Sequence, residues 1–165
     1  MSTPFRLLLP RQLLEEMIAH AYAELPNECC GLLAGTIGAD GIARIARRYP
    51  LVNARTNPTA YLSMYAAWWS SHGSTDHAPP GPMEYLSDPQ SMFVASKDMR
   101  RHDWEILAVY HSHPISAPVP SNKDREQNYL GDVIHFIVGL NDPAPEVRAW
   151  WLACEDYREA DWLAT

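Results

Sequence analysis

Basic residues are in short supply: 13 Lys and Arg stand against 20 Asp and Glu, a formal net charge of −7 over 165 residues. Nucleic acid and anionic membrane surfaces both reward clustered Lys and Arg, so neither is expected as the main partner. Cysteine is also scarce. Three residues, an odd number with Cys29 and Cys30 adjacent, do not make a disulfide framework. They suit a reducing cytoplasm better than an oxidising compartment. Nor is there an apolar run of membrane-spanning length. The one N-terminal cluster, Leu7-Leu8-Leu9, is cut short by Pro10 and flanking charges, so no secretory signal is expected. No solenoid-type repeat is visible. What remains is a chain with 47% hydrophobic residues, enough for a core and of a size for one domain spanning 1–165.

The chemistry concentrates in Val109-Tyr110-His111-Ser112-His113-Pro114, followed seven residues later by Ser121-Asn122-Lys123-Asp124. Residues 105–112 read as a strand, apolar and β-branched in the middle. Side chains two apart on a strand share a face, so His111 and His113 can converge on one point. Pro114 cannot donate to a ladder and should end the strand. Asp124 can then return as a third ligand. Two imidazoles and a carboxylate leave a fourth tetrahedral position open for water, the layout of a catalytic rather than a structural zinc site. Ser121 suits a helix N-cap with Asp124 at N3, which puts the two on the same side of a first helical turn. Hydrolysis also needs a proton carrier and an oxyanion donor. Glu28, at the mouth of the glycine-punctuated apolar run Cys29–Gly35, is the candidate carrier, and Ser121 the candidate hydroxyl. His20, His72, His77, His102 and His135 read as structural, and Cys30 as strand packing.

Glu28, His111-x-His113 and Ser121-x-x-Asp124 together resemble the JAMM (MPN+) zinc metalloprotease family. The Pro-x-Glu-x-Cys-Gly-x-Leu-x-Gly surround of Glu28 is similar to that of its small stand-alone bacterial members. The resemblance covers roughly residues 8–155. It implies one catalytic Zn²⁺ on His111, His113 and Asp124, with Glu28 moving protons and Ser121 binding the oxyanion. It also implies cleavage of a peptide or isopeptide bond at the C-terminal Gly-Gly of a ubiquitin-like or sulfur-carrier protein. The alternative within the same fold is a non-catalytic MPN scaffold that only binds partners. A zinc deaminase is excluded, because His-x-Glu and Pro-Cys-x-x-Cys are both missing. A RadC-like protein fits less well, given the Glu-Cys-Cys-Gly context and the lack of an upstream helical DNA-binding segment.

Along the chain, residues 10–25 carry helical apolar spacing, with prolines at both ends. Strands are expected over 29–37 and 42–52 around the turn Gly38-Ala39-Asp40-Gly41. A helix over 88–103 should open with Asp88 as cap and Pro89 at N1. After the motif strand come an exposed proline-rich loop (114–120), a helix from 121 to about 131, and strands at 133–140 and 146–154. A last short segment, 155–163, should add an edge strand or a helical turn. The fold class expected is α+β: a mixed, mostly antiparallel curved sheet flanked by helices, MPN/JAMM-like in a cytidine-deaminase-like architecture. One stretch departs from the family pattern. At about 63–85 an insertion carries Tyr65, Trp68 and Trp69 and then turns Gly/Pro-rich. It is expected to cover the active-site groove, to make a homodimer contact, or to pack as a local embellishment.

Overall fold

The structure, a computed structural model, describes residues 5–56, 85–126, 128, 130–131, 133–153 and 156–165. The insertion expected at 63–85 falls outside the described residues, except for Tyr85.

Eight strands form a single sheet: β1 (Arg6–Leu9), β2 (Cys30–Ile37), β3 (Ile42–Leu51), β4 (Glu105–His113), β5 (Ile134–Gly139), β6 (Glu146–Leu152), β7 (Tyr157–Glu159) and β8 (Trp162–Ala164). Their order is β7-β6-β5-β4-β2-β3-β1-β8. Antiparallel pairs predominate (β2 with β3 and β4, β6 with β5 and β7), while β4 and β5, and β1 with its two neighbours, run parallel. Among the described residues, three α-helices accompany the sheet: α1 (Arg11–Ala23), α2 (Pro89–Arg101) and the single turn α3 (Asn122–Glu126). This is the expected α+β architecture.

Alternation along the strands sends side chains to two cores. On one face Leu33, Tyr110, Ile134, Phe136 and Val138 pack with Met17 and Ala21 of α1. On the other, Cys30, Leu32, Ala34 and Val109 pack against Ala95 and Met99 of α2. The α2 start follows the sequence reading: the Asp88 carboxylate accepts from the Ser91 amide, with Pro89 in the first turn. Cys29 and Cys30 are free, one in each core.

Three local expectations need correction. Leu7-Leu8-Leu9, read as a truncated apolar cluster, is part of β1, which lies between β3 and β8 and buries Leu7 and Leu9 completely. A four-residue parallel strand has no local signal; distant partners define it. The helix expected over 121–131 stops at Glu126. No residue of that turn is buried, so no apolar stripe recruits further turns. Beyond it, Asn128 turns its side chain to His135 and the Leu152 carbonyl, and Gly131 takes a positive φ of 70°. The loop 114–120 is only partly exposed. Pro118 is fully buried and lies against Gly139, and its carbonyl accepts from the Trp150 indole. Of the last segment, both parts are short strands, one at each edge of the sheet.

Candidate metal centre and active-site cleft

β4 lies in the middle of the sheet, laddered to β2 on one side and β5 on the other, with His111 opposite Cys30 and Ile137. The ladder fixes the backbone of His111 and His113, and the pleat aims both rings at the same side. Their Nε2 atoms stand 3.1 Å apart. His113 Nδ1 donates to the Ala117 carbonyl at 2.9 Å, so its Nε2 presents a bare lone pair to the other ring. His111 is fully buried, and its Nδ1 has no hydrogen-bond partner among the described residues.

Asp124 reaches back over this pair from α3. Its Oδ1 lies 3.2 Å from His111 Nε2 and its Oδ2 3.7 Å from His113 Nε2. Ser121 and Asp124 close a reciprocal capping box: the Ser121 amide donates to Asp124 Oδ2 at 2.7 Å, and the Asp124 amide to Ser121 Oγ at 3.2 Å. Ser121 Oγ also donates to Oδ2 at 2.6 Å. Among the described residues, His111, His113 and Asp124 form a group able to hold a metal ion, with ligand atoms within 4.8 Å of one another. Two converging imidazole nitrogens, one a fixed acceptor, and a carboxylate are a donor set that suits zinc. Burial works against the ionised Asp124, but the His111 and His113 rings and the Ser121 hydroxyl overcome it and hold its carboxyl well below the usual range. Burial opposes the charged form of His113 too, yet its bonds to Asp124 and Ala117 raise its pKa.

Glu28, Ser121 and Asp124 all face one cleft of about 410 Å³, with Tyr85, His113 and Lys123 in its walls. Burial raises the pKa of Glu28, and the two histidine rings pull it part of the way back. The structure therefore places all five residues singled out in the sequence at one site.

The residues that hold Glu28 in place were not apparent in the sequence. Ser112, between the two histidines, points to the other face, accepts from the Cys29 amide at 2.8 Å and donates its own amide to the Cys29 carbonyl at 3.2 Å. Asn53, only 3% exposed, donates to the Glu28 carbonyl at 3.0 Å and accepts from the amides of Arg55 and Leu86. Tyr85 was counted with the insertion, but it belongs to the site: it lines the cleft with Glu28 and its ring stacks on His111, centroids 5.0 Å apart and 29° between planes. A buried Asn just past a strand was the one available signal; nothing local marked Tyr85.

The Prok-JAB family model, described as prokaryotic homologs of the JAB domain, matches residues 10–153. The chain belongs to this family. Among curated relatives, a probable TtuB-protein conjugate cleaving protease of Thermus thermophilus is 32% identical over 118 residues, which are 72% of this chain and 60% of that protein. The match thus spans less than two thirds of that relative's length. A CysO-cysteine peptidase of Mycobacterium tuberculosis is 27% identical over 142 residues, 86% of this chain and 79% of its own. A solution structure of a protein from Desulfitobacterium hafniense superposes with a TM-score of 0.70 at 28% identity, covering 98% of this chain and 93% of that one.

Proposed function

We propose that the protein is a zinc-dependent peptidase that hydrolyses a peptide or isopeptide bond at the C-terminal Gly-Gly of a ubiquitin-like or sulfur-carrier protein. The observation that carries this reading is the convergence of two histidine nitrogens and a carboxylate beside a half-buried glutamate with a raised pKa, in one cleft. Two relatives are named for peptide or conjugate cleavage, which supports the reaction class. His111, His113 and Asp124 would hold the ion. Zinc in such a site supplies Lewis acidity and lowers the pKa of a coordinated water to about 7.

The chain's own groups do the rest. A Glu28 carboxylate oxygen takes the proton of the attacking water and returns it to the leaving nitrogen; its burial makes it a stronger base than an exposed carboxylate. Ser121 Oγ, which donates to Asp124, redirects its proton to the oxyanion that develops on the scissile carbonyl. The Asn53 and Ser112 hydrogen bonds keep the Glu28 backbone fixed relative to β4, which holds the base in register with the two histidines.

The test is intact-mass analysis of a ubiquitin-like sulfur carrier bearing residues beyond its Gly-Gly. It is incubated with wild type, with Glu28→Gln and with wild type plus chelator. Loss of the extension with untreated wild type only is expected. If zinc-loaded wild type leaves this substrate and isopeptide-linked ubiquitin-like chains intact, the peptidase reading fails and the non-catalytic scaffold takes its place.

A further inference from the structure

A second pocket, about 250 Å³ in volume, opens on the same face of the sheet as the metal ligands, lined by Cys30, Leu32, Met92, Val109 and Leu130, with His135 among its walls. Tyr85 lines both this pocket and the cleft. We propose that the pocket receives one apolar side chain of the polypeptide substrate, from a residue close to the scissile bond. The inference rests on the peptidase reading and names a determinant of its specificity.

Three observations carry it. The first is continuity: the ring of Tyr85 stacks on His111 and Tyr85 lines the cleft together with Glu28, so the wall of the pocket is also part of the site. The second is spacing. Val109 precedes His111 by two residues on β4, an advance of about 7 Å at roughly 3.3–3.4 Å per residue. A substrate chain leaving the cleft covers that distance in about two residues, so a pocket that opens beside α2 at this point meets a side chain near the bond. In a Gly-Gly substrate that is the residue before the glycines or one of the first two after them. The third is size and character. Pockets for drug-sized ligands run from about 300 to 1,000 Å³; at about 250 Å³ this one lies just below that range and has ample room for one large side chain. Its lining is predominantly apolar. Burial lowers the pKa of His135 to about 4, so no charge is offered there at neutral pH. A carboxylate or ammonium group entering it would be desolvated with no Asp, Glu, Lys or Arg in the described lining to balance its charge.

The test uses octapeptides with a central Gly-Gly, carrying Leu, Phe, Ala or Asp immediately before the glycines or at either of the first two positions after them. With wild type, one of these positions is expected to prefer Leu over Asp by about ten-fold or more in kcat/KM, mostly through KM. Met92→Trp, which fills the pocket, should collapse that ratio, and Met92→Ala should shift it toward Phe. The proposal is overturned if wild type discriminates at none of the positions, or if neither Met92 variant changes the ratio. Calorimetric binding of the same peptides to Glu28→Gln separates this from the reaction class. Should wild type cleave none of these peptides, the sulfur-carrier assay alone decides the peptidase reading, while tighter binding of Leu than of Asp peptides still upholds the pocket and equal or absent binding removes it.

Discussion

The candidate metal centre is built from two unlike halves. His111 and His113 stand on a strand laddered on both sides, 0% and 7% exposed, and their backbone is set by the whole sheet. Asp124 and Ser121 come from one helical turn with no buried residue, held locally by a capping box. In the first half, structure and chemistry are separable: the ladder does not need the imidazoles. In the second they are not, because the carboxylate offered to the metal is also the group that caps the helix. Substitutions should therefore behave differently in the two halves.

The largest effect is expected from His113→Ala. It should retain no zinc after desalting and show no measurable turnover, while the circular dichroism of the sheet and exchange protection of β4 stay as in metal-free wild type. Loss of β4 protection would break the comparison. Asp124→Ala should lose zinc and also protection across 121–126. Asp124→Asn should lose zinc affinity but keep much of that protection, since a carboxamide oxygen still accepts from the Ser121 amide. Next in size, Glu28→Gln should keep stoichiometric zinc by metal analysis and turn over about 10²–10⁴-fold more slowly, the usual worth of a positioned proton carrier. Wild-type turnover in that variant would remove Glu28 from the reaction.

Ser121 sits where the halves meet, and two variants divide its roles. Ser121→Ala should slow turnover by about 10²–10³-fold through the lost oxyanion donor and destabilise α3 by about 1 kcal/mol through the lost cap. Ser121→Gly removes the hydroxyl too, but a glycine cap costs only a few tenths of a kcal/mol. Equal slowing in both variants assigns the loss to the oxyanion. If Ser121→Gly turns over much faster than Ser121→Ala, the serine acts through the cap.

The same division explains what could be read from the sequence. Period-two alternation and a proline stop placed both histidines, and the serine-to-acid spacing placed the capping box, because each is a local rule. The strand boundaries of β2 to β5 and the Asp88-Pro89 start of α2 follow from equally local signals. Asn53 and Tyr85 escaped, since their roles depend on contacts with Glu28 and His111 that only the folded chain creates. β1 escaped because its parallel pairing is set by sheet neighbours. The early end of α3 was missed for the converse reason: capping predicts where a helix starts, but its length depends on an apolar face that this turn lacks.

The smallest effect contrasts two histidines on one sheet face. His113 has its pKa raised by Asp124 and Ala117 against its burial. For His135, opposite Val109, burial and the His111 ring outweigh the Asp124 carboxylate, and its pKa falls from an ordinary 6.5 to about 4. Below pH 6.5 the unfolded chain protonates His135 and the native chain does not, so the unfolded state binds more protons and stability falls as pH falls. At about 1.36 kcal/mol per unit, the loss should reach about 3 kcal/mol by pH 4 and then level off, as the native ring also takes a proton. His20, lowered by burial and by Arg48, adds in the same direction. Asp124, with its depressed carboxyl, contributes a separate loss only below the ordinary carboxylate range. Chemical denaturation of metal-free protein at several pH values between 4 and 7 would measure the slope. In His135→Gln, which cannot titrate, the slope over this window should flatten. An unchanged slope would mean that His135 is not the buried neutral histidine that sets it.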